Sequence, residues 1–186
     1  SNIIEGFNEL GSDVIYLDKM PWNEDPGQNY WKYAKRPDES YEDYTAIKKK
    51  SKLAENTSYT IFTGGRTIKH LTSSVSNAFI MGSTYEYAAN QKLKIAEGRY
   101  FSINEYETGA NKVILGYKVY NELFKSLDGV GREVKLFGQD FQVIGFMESE
   151  GDNAFNFFNV LGNFILSCSS TSRAVSTASA GLFAAT

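Results

Sequence analysis

The stretch from Glu97 to Ser126, EGRYFSINEYETGANKVILGYKVYNELFKS, sets glycines beside charge, a β-branched run and an amphipathic segment. Those are the ingredients of a phosphate-binding loop. Such a loop needs several glycine amides to wrap the anion, followed by Lys and then Ser or Thr at a helix N-terminus to neutralise it. Here Lys112 to Leu115 reads as a strand that passes through the single Gly116 into a helix burying Val119, Leu123, Phe124 and Leu127, with no such ending. The next pair, Gly129 and Gly131 in DGVGREVKLFG, lacks the third glycine of a dinucleotide fingerprint and precedes a strand instead of a helix. Both stretches predict scaffold, not nucleotide binding.

Other chemistries are equally short of parts. Cys168 is the only cysteine and His70 the only histidine. One thiol excludes an internal disulfide and a thiolate metal cluster. A nucleophilic Cys168 would need His70 as its base, and His70 sits in the alternating run TIKHLT, which reads as a strand. The single histidine also argues against multi-histidine metal sites. Glu148, Glu150 and Asp152 gather in ESEGD, but without the alternating Asp/Asn ligands and terminal Glu of a calcium loop they read as solvated. No catalytic, cofactor-binding or metal-ligating residue is therefore expected. The formal net charge of −3 supplies no basic face for nucleic acid, and the one cationic run, IKKKSK from Ile47 to Lys52, reads as a helix end. Trp22 and Trp31 remain as candidate partner or ligand contacts. They lie in PWNEDPGQNYWKYAKRPDES, which holds all three prolines and is too broken for a regular element; covering the local core is the commoner use of such rings.

Behind these residues stand elements that the patterning predicts. SDVIYLDKM is a strand with Val14 and Tyr16 on one side and Ile15 and Leu17 on the other. SYEDYTAIKKKS is a helix opened by a capping box of Ser40 and Asp43, with Tyr44, Ile47 and Leu53 sharing a face. SYTIF, a turn at Gly64-Gly65, and TIKHLTSSVSNAFIMG predict a hairpin, and Ser83 with Glu86 predicts a short helix in STYEYAANQKL. A second hairpin, REVKLF and FQVIGFM, turns at Gly138 to Asp140. With 186 residues, 42% of them hydrophobic, the chain can bury a real core as one domain or two small lobes. No run reaches the roughly 18 apolar residues of a membrane span, and no signal peptide precedes the first strand. The start at Ser1-Asn2, without methionine, reads as a piece excised from a longer protein with residues left by tag removal.

The succession MGSTYEY, LKIAEGRYFSINE, NKVILGYKVYNELF and GVGREVKLFGQDFQVIGFMES resembles the extracytoplasmic core domain of MacB-like ABC transporter permeases, the FtsX-type or type VII group. The likeness includes Gly98, Arg99 and Phe101 of a Gly-Arg-x-Phe element and spans roughly Leu10 to Ser149. The resemblance implies an α+β fold: a mixed α/β Porter-like lobe over about 1–104, a smaller β-rich Sabre-like lobe over about 105–152, and a closing strand with a Ser/Ala/Thr-rich tail over 153–186. It also implies a non-catalytic periplasmic domain of a bacterial inner-membrane permease, coupling cytoplasmic ATP hydrolysis to export or to work on material outside the membrane. ATP and magnesium would belong to a separate cytoplasmic nucleotide-binding domain. Partners would be the permease's own transmembrane helices, a second permease copy, the ATP-binding subunit and a periplasmic adaptor protein. Gly98, Gly116 and Gly145 then serve as backbone positions, and Arg99 pairs with a carboxylate or caps a carbonyl. The tail CSSTSRAVSTASAGLFAAT departs from the family and leaves three readings open: a poorly ordered end, a final helix around Arg173 to Phe183, or altered sequence. Two rival functions stand beside the permease: a secreted or surface binding module using the aromatic loop 21–31, and an unrecognised hydrolase.

Overall fold

The computed structural model describes residues 14–17, 32, 35–37, 39–91, 93–125, 128–148, 164–168 and 179–185. In chain order the elements are β1 (Val14–Leu17), α1 (Tyr41–Lys50), β2 (Asn56–His70), β3 (Ser73–Ser83), α2 (Tyr87–Gln91), β4 (Ile95–Gly98), α3 (Ile103–Thr108), β5 (Lys112–Leu115), α4 (Tyr117–Phe124), β6 (Glu133–Leu136), β7 (Gln139–Met147), β8 (Phe164–Cys168) and β9 (Ser179–Ala185). The α+β class expected from the sequence is what forms.

Helix α1 begins where its caps predict. Ser40 Oγ accepts from the Asp43 amide at 3.1 Å while the Asp43 carboxylate accepts from the Ser40 amide at 2.9 Å, and Lys48, Lys49 and Lys50 close the last turn against the helix dipole. Leu53 does not join the face of Tyr44. The chain leaves helical conformation at Ser51, and Leu53 beyond it is 82% exposed. Ser83 and Glu86 do not cap α2 as a box either: Ser83 is the last residue of β3, and Glu86 turns to α1 instead.

Strands β2 and β3 form one long hairpin whose turn is Leu71-Thr72, not Gly64-Gly65. β2 runs straight through the glycines, which mark a bulge. Thr63 pairs with Ile80 and Arg66 with Ala78, so β2 carries one extra residue; from Arg66/Ala78 to Ile68/Val75 the extra residue lies in β3. Gly65 (φ 68°) and Asn77 (φ 57°) take the left-handed conformations, and the two bulges cancel so that the original register returns. A turn and a bulge both ask for a left-handed residue, which is why the glycine pair read as a turn. The second hairpin turns at Phe137-Gly138 (φ 53° and 77°), one step earlier than expected, leaving Gln139 and Asp140 in β7. Positive φ at both central residues is the two-residue turn whose twist matches the strands.

The nine strands among the described residues join in one mixed sheet ordered β1-β9-β2-β3-β8-β5-β7-β4, with β6 pairing both β7 and β2. That double pairing closes a ring of six strands, β2-β3-β8-β5-β7-β6, and so takes members from both sides of position 104. Alternate residues divide between two cores. Ile80, Val113, Leu115 and Val143 meet Val119, Leu123 and Phe124 of α4, whereas Met81, Ile114 and Ile144 face Tyr87 of α2 and Phe101. The run KVIL of β5 is apolar throughout because this strand is covered on both faces, Val113, Ile114 and Leu115 each being 0% exposed. At the far end β9 lies antiparallel between β1 and β2. Residues 179–185 of the tail are therefore a strand, not the end of a helix.

Candidate functional site

The Gly-Arg-x-Phe element forms a corner between β4 and α3. Gly98 has φ +87°, and a Cβ built there would stand 2.2 Å from the Ile144 carbonyl oxygen and 2.6 Å from the Gly145 Cα; at Gly145 a Cβ would stand 2.8 Å from the Glu97 carbonyl oxygen. The two glycines pair across β4 and β7 and let the backbones meet. The chain then turns, Arg99 donating its amide to Ile144 O at 3.0 Å. Phe101 is buried in the second core, and Ser102 caps α3 in a box with Glu105.

Arg99 does both things expected of it. Its guanidinium donates twice to the Glu105 carboxylate, each at 2.7 Å, and once to the Tyr100 carbonyl at 3.0 Å. That fork, together with the Ser102 bonds, holds the Glu105 carboxyl down at about 2, against an opposing push from partial burial. The carboxylate is thus fixed as an anion and spent on the corner, and the corner has no role for it as an acid or base.

A second polar cluster joins α1 to α2. Lys48 Nζ donates to Glu86 at 2.5 Å and to Tyr44 Oη at 3.1 Å, and Tyr44 Oη donates to the other Glu86 oxygen at 3.3 Å. Burial pushes Glu86 up, but the Lys48 bond and charge outweigh it and the carboxyl lies below its ordinary value. The bond to Glu86 raises Lys48, while burial raises the Tyr44 phenol. Tyr106 is also pushed up, by burial and then by its bond with Tyr41. Each ionisable group is held in its ordinary charge state, which suits fastening more than proton transfer. No local pattern announces this cluster, because its charged partners stand 38 residues apart.

His70 ends β2 as a strand residue. Its Nδ1 donates to the Glu133 carbonyl on β6 at 2.7 Å, and its ring packs on Phe124 with centroids 4.6 Å apart. Cys168 ends β8, and Glu148 is exposed after β7. Glu150, Asp152, Trp22, Trp31 and Leu127 lie outside the described residues. Among the described residues no group of three or more His, Cys, Asp or Glu is placed to hold a metal ion, and no helix is long and apolar enough to cross a membrane.

A family model described as the MacB-like periplasmic core domain matches residues 1–181. Among curated proteins, the pyoverdine export ATP-binding/permease protein PvdT of Pseudomonas aeruginosa is 28% identical over 78 residues, 42% of this chain and 12% of that protein. The protein of the same name from Pseudomonas savastanoi pv. phaseolicola is 29% identical over 76 residues, 40% of this chain and again 12% of that protein. Among solved structures, the periplasmic region of MacB from Actinobacillus actinomycetemcomitans superposes with a TM-score of 0.76 at 13% identity, covering 100% of this chain and 79% of that one. The extracellular domain of the noncanonic ABC-type transporter YknZ from Gram-positive bacteria gives 0.70 at 19% identity, over 93% and 83%.

Proposed function

The chain belongs to the MacB-like periplasmic core domain family, and on that premise we propose that it is the extracytoplasmic domain of a bacterial ABC-type permease that works without chemistry of its own. The observation that carries the reading is the family match over residues 1–181, joined to polar clusters that fasten elements and offer no nucleophile beside a base. On this reading the domain follows the movement of the permease's transmembrane helices and transmits cytoplasmic ATP hydrolysis to material or partners outside the membrane. Residues 1–104 supply the Porter-like part and 105–152 the Sabre-like part of the shared sheet. ATP and magnesium are handled by a separate nucleotide-binding domain. A second permease copy and a periplasmic adaptor protein complete the assembly, and Trp22 and Trp31 serve as partner contacts.

The test uses the full permease encoded by the native gene, reconstituted with its ATP-binding component. Nitroxide labels at the exposed Ser76 of two permease copies report their separation by pulsed electron resonance. The distance is expected to change between the nucleotide-free state and the state trapped with ATP and vanadate. A constant distance while ATP is being hydrolysed overturns the coupling role. An alkaline phosphatase fusion within the domain is expected to be active, and an inactive fusion overturns the extracytoplasmic placement.

A further inference from the structure

The ring of strands closes at a single backbone bridge, Lys69 of β2 opposite Lys135 of β6. Directly opposed side chains on neighbouring strands stand within reach of each other, and like charges there are unfavourable. Both lysines are exposed; Lys135 shares the Asp140 carboxylate at 3.7 Å, whereas Lys69 has no ion-pair partner among the described residues. The seam is held instead by the His70 bond to Glu133 O.

Two hairpin turns flank these lysines, and each presents a large apolar residue where folding favours something else. Leu71 has φ +49° and is 86% exposed; Phe137 has φ +53° and is 40% exposed, with the Arg66 guanidinium 5.5 Å from its ring centroid. Gly, Asn or Asp adopts that backbone more cheaply, and a polar side chain there loses nothing to water. Strain, exposed apolar surface and opposed like charges coincide within one seam of an otherwise acidic chain. None of the three helps the fold.

We propose that this seam is a docking surface for an acidic polypeptide segment, whose carboxylates separate the charges of Lys69 and Lys135 and whose apolar side chains cover Leu71 and Phe137. The charge pattern selects a polypeptide over a lipid surface. The exposed carboxylate of Asp140, set beside Lys135, would repel a uniform sheet of anionic headgroups, but a chain carrying both signs can match it in register. The inference stands on the seam's own geometry and is independent of the permease reading.

The probe is a labelled random copolymer of glutamate, lysine and tyrosine with glutamate in excess, titrated onto the 186-residue chain and followed by fluorescence anisotropy, beside phosphatidylglycerol vesicles. Saturable binding is expected, at least tenfold weaker at 300 than at about 50 mM salt. Lys69→Glu and Leu71→Asn are each expected to weaken it at least fivefold. Lys49→Glu, in the cationic end of α1, is expected to leave it unchanged. Both seam variants relieve an unfavourable feature, so their melting temperatures should hold or rise, and lost binding then reports the surface and not unfolding. Absence of saturable binding, equal loss in Lys49→Glu, retention in the seam variants, or equally strong binding to the vesicles each overturns the proposal.

Discussion

Replacing Gly98 by alanine separates two reasons for a glycine, because the chain supplies its own control. Gly98 and Gly131 have nearly the same φ, +87° and +90°, but a Cβ at Gly131 meets nothing within 4 Å while one at Gly98 stands 2.2 Å from Ile144 O. Gly131→Ala therefore pays only for a left-handed non-glycine residue, about 1–2 kcal/mol. Gly98→Ala pays the same and must also push β4 off β7 by about 1 Å to reach ordinary contact. That movement breaks the 3.0 Å bond from the Arg99 amide to Ile144 O, worth about 1 kcal/mol, and loosens the packing of Phe101 and Ile144 for about 1–2 more. The expected totals are about 1.5 kcal/mol for Gly131→Ala and about 4 for Gly98→Ala. In a chain of this length each kcal/mol moves the melting temperature by about 2–4 °C. Urea and thermal unfolding of both variants should thus differ by about 2.5 kcal/mol. Equal destabilisation would refute the close-approach argument and leave backbone strain as the whole reason for Gly98.

The Arg99–Glu105 fork predicts an acid sensitivity. Glu105 is depressed from 4.5 to about 2 in the folded chain, so its stabilisation is complete above about pH 5 and is lost as pH falls toward 2; screening at the half-exposed Arg99 cuts the worth to about 1 kcal/mol. Glu105→Gln should therefore cost about that much in urea unfolding at pH 7 and almost nothing at pH 2, and a cost independent of pH would contradict the ionic account. In hydrogen exchange, the amides of α1 should open at a lower free energy than those of α4, and the reverse order would contradict the packing difference between the two helices.

Local chemistry carried most of what was legible in the sequence. Capping at Ser40, the strand and helix about Gly116, and the alternation of the second hairpin each depend on neighbours within a few residues. What escaped were features set by distant partners. Lys48 gives no sign that Glu86 will lie beside it, and Tyr44 reads only as one position of a shared helix face. None of the three readings left open for the tail is a strand, because SAGLFAA has no alternation of its own; residues 179–185 become one by filling the gap between β1 and β2. The ring closure was likewise invisible, since one bridge between Lys69 and Lys135 leaves no periodic trace.

Helices α4 and α1 are fastened by different physics, although each face of the sheet has an apolar core. α4 buries Val119, Tyr120, Leu123 and Phe124, each at most 7% exposed, and at about 1.5–3 kcal/mol per large apolar side chain that contact is worth several kcal/mol. α1 is longer but buries only Tyr44, and its link to α2 is an ion pair with Lys48 half exposed, worth about 1 kcal/mol at most. On these figures the α1 ion pair costs far less to part than the α4 contact. The motion-transmitting role proposed above calls for such a division: a rigid body to carry force, and an attachment that can change without unfolding it. Polar fasteners serve the second purpose better than apolar ones, because when they part both groups recover their bonds from water.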